Sequence, residues 1–264
     1  MTVFEAIVYG VVQGVGEFLP ISSTAHIIAV PWLLGWKDPG LAFDVALHIG
    51  TLVAVIAFFW KDWVNLIYFG ITKPKTPEGK LFWYIVLATV PGAVLGYLFE
   101  NQVETTFRNA ALIGIMLIVM GVILYIADRL GRKKVEIENV GLADSLIIGI
   151  SQSVAFIPGV SRSGITMSSG LFLGLTRESA ARFSFLLSTP IIFGTGVLKI
   201  KDIAHTNVQI VPFAVAVVTA AAVGLLSIKF LLDYLKKKGF GIFAIYRLLL
   251  GILLIAVYFI RQAG

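Results

Sequence analysis

Gly10-Val-Val-Gln-Gly-Val-Gly-Glu-Phe-Leu-Pro-Ile-Ser-Ser23 interrupts a run that is otherwise apolar from Val3 to Leu34. The break falls at Leu19-Pro-Ile-Ser-Ser-Thr24, where a proline ends one helix and hydroxyls can start the next. Neither half reaches the roughly 20 residues a bilayer crossing needs. The stretch reads as a helix-loop-helix that enters a membrane and returns on the same side. Irregular backbone at that depth needs protein or a watery cavity around it. A second stretch repeats the pattern. Leu142 to Leu175 is apolar but broken at Ile157-Pro-Gly-Val-Ser-Arg-Ser-Gly164, and Gly149-Ile-Ser-Gln-Ser-Val-Ala-Phe-Ile-Pro-Gly-Val-Ser161 carries Gly, Gln, Val, Phe, Pro and Ser in the order of the first.

Between and after these hairpins lie six apolar runs that read as spanning helices: Phe43 to Trp60, Leu81 to Phe99, Ala110 to Asp128, Phe183 to Leu198, Val208 to Leu235 and Phe240 to Ile260. The Phe183 run is the shortest and borrows polar residues upstream, such as Arg182. Small residues spaced four apart, at Gly10 and Gly14, Gly92 and Gly96, and Gly170 and Gly174, suit close helix packing in lipid. Three crossings follow each hairpin. An odd number per half turns the second copy upside down. The expected fold is an all-α membrane protein of six transmembrane helices plus two re-entrant hairpins in an inverted repeat. It forms a single membrane domain over 1–264, with repeat A at 1–139 (hairpin 3–35) and repeat B at 140–264 (hairpin 142–176). Such repeats build binding sites near the midplane from broken helices.

Composition agrees. Of 264 residues 58% are hydrophobic and 14% charged, against about 25% charged in soluble domains. Mean hydropathy is +0.93. Without cysteine, disulfides, thiolate metal sites and a cysteine nucleophile are excluded. The net charge of +6 lies in short loops, which reads as a positive-inside membrane protein and not as a nucleic-acid binder. The first lysine is Lys37, so no basic segment precedes the opening apolar run, and no cleaved signal peptide is read. With both termini on one face, twelve Lys and Arg fall on the opposite face and five (Lys37, Arg108, Lys199, Lys201 and Arg261) on theirs. The richer face is cytoplasmic by that rule, so both termini are expected outside a plasma membrane.

The polar residues left inside these apolar runs carry the chemistry. Gln13 and Glu17 share a helix face. Ser22 and Ser23 sit at the turn, and His26 lies one helical turn past Ser23, so hydroxyl and imidazole can meet as nucleophile and base. The second break supplies Arg162 among Ser161, Ser163 and Thr166, a guanidinium and hydroxyls at a helix start, which suits phosphate. Brought together, the two tips make a site for phosphoryl transfer or phosphate-ester hydrolysis. Plainer readings stand beside these. Glu17 and Arg162 can form a structural bridge, Ser22 or Ser23 can only cap a helix, and His26 can be a packing residue. Asp44 and His48 read as a polar helix end or a mutual pair in preference to lining the outer mouth. His205 reads as solvated in an outer loop. Gly159-Val-Ser-Arg-Ser163 nearly matches a nucleophile elbow but lacks the final glycine and the strand. Zincin, Walker and Rossmann motifs are absent from the sequence.

QGVGEFLPISSTAH and PGVSRSGIT, with Ala244-Ile-Tyr-Arg247, resemble the signatures of the undecaprenyl-pyrophosphate phosphatase family of bacitracin-resistance type, and the similarity covers nearly the whole chain. The resemblance implies a membrane enzyme that removes the terminal phosphate from a long-chain polyprenyl diphosphate and returns the monophosphate carrier for wall or glycan synthesis. The family's functional positions fall on Glu17, Ser23, His26 and Arg162. Gln13, Ser22, Ser161, Ser163 and Thr166 are then in supporting, substrate-binding positions. The resemblance also implies a divalent cation, Mg²⁺ or Ca²⁺, held by Glu17 with Gln13. Many members carry Glu where this chain has Gln13, so less anionic charge faces the metal here. The implied partners are the polyprenyl diphosphate and membrane lipids, with no nucleic acid; a homodimer stays open. From the residues alone either Ser23 or His26 serves as nucleophile, and a lipid-phosphate flippase or anion transporter is the competing reading, because inverted repeats also build transporters.

Overall fold

The computed structural model describes residues 1–37, 39–99, 109–198 and 209–263, and among them it is helical, with a single isolated bridge between Val135 and Leu175. The first break falls where proline dictates. Helix α1 (Val3–Phe18) opens on a Thr2–Glu5 capping box, and Leu19 before Pro20 turns extended. Helix α2 (Ser23–Leu34) then starts on Ser22 as N-cap and stops at Gly35, which takes the left-handed conformation open to glycine. The chain continues through α3 (Leu41–Phe58), α4 (Trp60–Thr72), α5 (Pro77–Leu98), capped by Thr76, and α6 (Ala110–Leu130), capped by Asn109. The second break lies between α7 (Leu142–Gln152) and α8 (Arg162–Phe172), with a 3₁₀ turn at Ser153–Phe156. Helices α9 (Arg177–Leu198), α10 (Ile210–Leu235) and α11 (Gly241–Ala263) complete the described fold.

Five described helices are long and apolar enough to cross a membrane, and α3 with α4 passes the same test as a pair bent by 75°. The expected runs match α3, α5, α6, α9, α10 and α11. The expected start at Val208 and the residues Arg108, Lys199, Lys201 and His205 lie outside the described residues. The six expected runs do not include Trp60–Thr72, which is a helix. Lys61, Asp62 and Asn65 lower its hydropathy, while Trp60, Val64, Ile67, Tyr68 and Ile71 stay exposed on it. Arg182 of α9 fastens it by an ion pair to Asp62 at 2.6 Å. Many other large apolar side chains, Phe4, Tyr97, Leu130 and Ile210 among them, are exposed, as expected of a surface that faces lipid.

The interior is one large cluster around Phe18, Phe59, Leu124, Phe183, Phe185 and Ile228, with two smaller ones. Helix α1 packs on α10 and α7 on α5; α3 packs on α10 and α9 on α5; α3 meets α9 and α6 meets α11. The close approach of α1 to α10 depends on Gly10 and Gly14. A Cβ at Gly10 would lie 2.8 Å from the Ala216 carbonyl, and one at Gly14 would lie 2.9 Å from that of Ala220. Gly96 has open space around it, so Gly92 and Gly96 do not form the expected packing stripe.

Candidate active site

Both hairpin tips reach one cavity of about 650 Å³, lined on the polar side by Glu17, Ser22, Ser23, Asp44, His48, Gln152, Ser153, Ser161 and Arg162. The apolar wall includes Tyr97, Phe156, Ile157, Ile191 and Leu198. The tips are built alike. Ser22 and Ser161 each adopt positive φ, 76° and 70°, and each cap their helix: the Ser22 hydroxyl accepts from the Ala25 N–H at 3.3 Å and that of Ser161 from the Gly164 N–H at 3.1 Å. Positive φ at a residue other than glycine is strained, and such strain concentrates at functional sites. It leaves Ser23 and Arg162 as the first residues of their helices.

Glu17 joins the tips. Its Oε1 accepts from the Arg162 guanidinium at 2.8 Å. Its Oε2 accepts from the Ser23 hydroxyl at 2.8 Å and from the Gln13 amide at 3.1 Å. Arg162 is held from behind by the Ser184 carbonyl at 3.0 Å, so its fork is fixed on two sides. The guanidinium from late in the chain therefore meets the early acid and alcohol in a largely buried place.

The imidazole in reach of this cluster is that of His48. Its Nδ1–H donates to the Asp44 backbone carbonyl at 2.7 Å, which turns Nε2 to within 3.6 Å of Glu17 Oε2. Asp44 stands in the first turn of α3 and His48 bonds its backbone, as a polar helix end would have it, but both also line the cavity, the reading given second place. His26 is turned elsewhere. Its Nδ1 donates to the Ser22 carbonyl at 2.7 Å and its Nε2 takes the Tyr246 hydroxyl at 2.6 Å, with the two rings stacked. The expected meeting of Ser23 with His26 is absent, because the Ser23 hydroxyl is on Glu17.

The supporting residues divide. Ser161 lines the cavity beside Arg162. Ser163 is fully buried and donates to the Leu19 carbonyl at 3.2 Å, tying the second tip to the first. Thr166 donates to the Arg162 carbonyl at 2.8 Å and bonds the Ser184 hydroxyl at 2.7 Å. Gln13 is buried behind Glu17 and, like Ser163, Thr166 and His26, is not among the lining residues.

Sequence reasoning passed over Arg247 as a structural residue, noting it only within a matching motif. It is fully buried and donates to the carbonyls of Pro20 (3.0 Å), Gly159 (2.7 Å) and Val160 (3.0 Å), so one guanidinium holds both tips.

Comparison with known proteins follows the same lines. The family described as bacitracin resistance protein BacA matches residues 6–253. A protein of Pelotomaculum thermopropionicum named undecaprenyl-diphosphatase is 56% identical over 264 residues, all of both chains. One of Moorella thermoacetica with that name is 54% identical over 99% of this chain and all of its own. A third, of Thermodesulfovibrio yellowstonii, is 41% identical over 98% of each chain.

Proposed function

The chain belongs to the bacitracin resistance protein BacA family, and we propose that its undecaprenyl-diphosphatase reaction runs on Ser23, Glu17 and Arg162 in this cavity. The protein is a membrane hydrolase that converts undecaprenyl diphosphate to the monophosphate and inorganic phosphate. The observation that carries the site assignment is the chain of contacts from the Ser23 hydroxyl through the Glu17 carboxylate to Arg162.

Ser23 Oγ attacks the terminal phosphorus while its proton passes to Glu17, already its hydrogen-bond acceptor. The bond to the bridging oxygen breaks, and the lipid leaves as its monophosphate. Arg162 moves its outer N–H groups from Glu17 to the phosphoryl oxygens, where charge is spread in the transition state. Water then attacks the phosphoserine, the bond from phosphorus to Ser23 Oγ breaks, Glu17 returns its proton to that oxygen, and the water's oxygen and proton leave with the inorganic phosphate. With both ring nitrogens engaged, His26 is a positioning residue: its hold on the Ser22 carbonyl fixes the turn that presents Ser23.

A divalent cation, Mg²⁺ or Ca²⁺, belongs to the same reading. Among the described residues no three His, Asp or Glu side chains converge as a cage. The residues that would hold it are Glu17, through its carboxylate, and Gln13, through Oε1, a buried carbonyl oxygen without a hydrogen-bond partner among the described residues. An ion held by them would supply positive charge to neutralise the diphosphate. Chelation is expected to lower kcat/KM at least about tenfold, with recovery on adding Mg²⁺ or Ca²⁺. Undiminished turnover in chelator removes the cation from the reaction.

The inverted repeat and re-entrant hairpins are the architecture we propose for this site. In their support, α1 has 16 residues, α2 12, and α7 and α8 11 each, all short of a roughly 30 Å crossing at about 1.5 Å per residue. Exchanging the halves also maps the packing of α1 on α10 onto that of α7 on α5, and Ser22-Ser23 onto Ser161-Arg162. The charge count favours termini outside and the first hairpin entering from there, with the carrier lipid recycled for wall or glycan synthesis.

A carrier or flippase has use for Arg162 but none for an alcohol resting on a carboxylate. Purified protein in detergent is therefore expected to release phosphate from undecaprenyl diphosphate, which a transporter does not do. Ser23→Ala is expected to lose about a thousandfold in turnover, with a residue from Arg162 electrostatics and binding. Ser22→Ala, which removes a cap, costs about 1 kcal/mol of stability and less than about tenfold in rate. Mass-spectrometric mapping of trapped phosphate should find it on Ser23. Phosphate on His26, or equal mild losses in the two variants, overturns the assignment.

A further inference from the structure

Gln152 and Ser153 enter the same cavity with nothing to bind. Gln152 is 4% exposed and Ser153 5%, yet neither the amide nitrogen and oxygen of the one nor the hydroxyl of the other has a hydrogen-bond partner among the described residues. Leaving a buried polar group unsatisfied costs about 1–3 kcal/mol, so three such atoms on two residues that line a cavity point to a polar ligand. Comparison of the hairpins explains the vacancy. The residue four past Gln13 is Glu17, which takes its amide N–H at 3.1 Å. The residue four past Gln152 is Phe156, so the second hairpin keeps the amide and lacks its acceptor. Gly92 of α5 accommodates the amide itself, since a Cβ there would come within 2.9 Å of the Gln152 amide nitrogen.

We propose that the Gln152 amide and the Ser153 hydroxyl bind the lipid-side phosphate of the diphosphate, the one retained on the product. This rests on the reading of Ser23 and Arg162 as the centre that takes the terminal phosphate. The same cavity is lined by Glu17, Ser23 and Arg162 and by the apolar Ala155, Phe156, Ile157 and Ile191, so the neutral donors share it with the reacting centre and with a wall suited to the isoprenoid. Two neutral donors suit a phosphate that is held but not attacked. They bind substrate and product alike and leave the charged fork to the transferring group.

The test is binding of undecaprenyl monophosphate to the purified protein, beside kinetics on the diphosphate. Gln152→Leu is expected to weaken monophosphate binding about tenfold and to raise KM by the same factor, with kcat within about twofold. Ser153→Ala, a smaller change, is expected to weaken both about threefold. Binding of the uncharged polyprenol should be unchanged. If both variants melt like wild type and bind monophosphate equally well, the subsite is wrong; so it is if kcat falls while KM stays. Wild type that binds monophosphate through Gln152 yet releases no phosphate would instead overturn the catalytic reading and leave this one standing.

Discussion

Arg162→Ala is expected to lower phosphate release about ten-thousandfold, within the 10³–10⁵ that a transition-state arginine contributes to phosphoryl transfer. Two jobs end with it. The transferring phosphoryl group loses the donors that meet its developing charge, and Glu17 loses the cation that donates to Oε1. Arg162→Lys should recover little of this. The guanidinium donates to the Ser184 carbonyl with one nitrogen and to Glu17 with the other, at 3.0 and 2.8 Å, and a single ammonium on a flexible stem does not span both. Removing one member of a buried pair also costs stability, so loss of activity alone does not separate clamp from bridge. The double variant Arg162→Ala with Glu17→Gln does. It leaves no uncompensated carboxylate, so it should melt closer to wild type than Arg162→Ala does, while remaining inactive. Turnover within about tenfold of wild type in Arg162→Ala would reduce the guanidinium to a structural partner of Glu17.

Why some of this could be read in advance, and some not, follows from which contacts sequence records. Pro20 and Pro158 announce their breaks because a proline changes the backbone wherever it stands. Glu17 and Arg162 announce themselves because ions inside apolar runs need partners, and each proves to be the other's. The rotation of α2 about its axis is not written in spacing. Ser23 and His26 are three residues apart and able to meet, yet the turn at Ser22 sends the hydroxyl to Glu17 and the ring to Tyr246, 220 residues further on. His48 was undervalued for a related reason: a histidine four past an aspartate at a helix start looks like a local pair, and only the packing of α3 against α1 brings its Nε2 to Glu17. Helix α4 was hidden by its charges, one of which is paired across the fold.

Arg247 is the extreme case, since its partners are backbone carbonyls, which carry no sequence signal at all. Each hairpin break strips helical partners from carbonyls at its tip. Pro20, Gly159 and Val160 are buried, so bulk water does not replace those partners. Arg247 donates to three of these, at Pro20, Gly159 and Val160, with a longer bond of 3.4 Å to Leu117 on α6. It pairs with no acidic side chain among the described residues, so its charge is met by carbonyl dipoles. Arg247→Met keeps an apolar stem of similar reach and removes every donor. Orphaning three buried acceptors at about 1–3 kcal/mol each is expected to cost about 3–5 kcal/mol, a large part of a typical net stability of roughly 5–15 kcal/mol. Activity should fall with it, because Pro20 precedes the turn that presents Ser23 and Val160 the one that presents Arg162. The order of events distinguishes the two arginines: Arg162→Ala with Glu17→Gln stays folded and idle, whereas Arg247→Met loosens first. The chain has no cysteine, so one placed at the fully buried Ala25 of α2 reports this directly. Its alkylation should be slow in the parent and in Arg162→Ala with Glu17→Gln, and at least about tenfold faster with Arg247→Met. Arg247→Lys should fall between, keeping a charge and some donors without the fork. A melting temperature for Arg247→Met equal to that of wild type would mean that the two tips hold together without it.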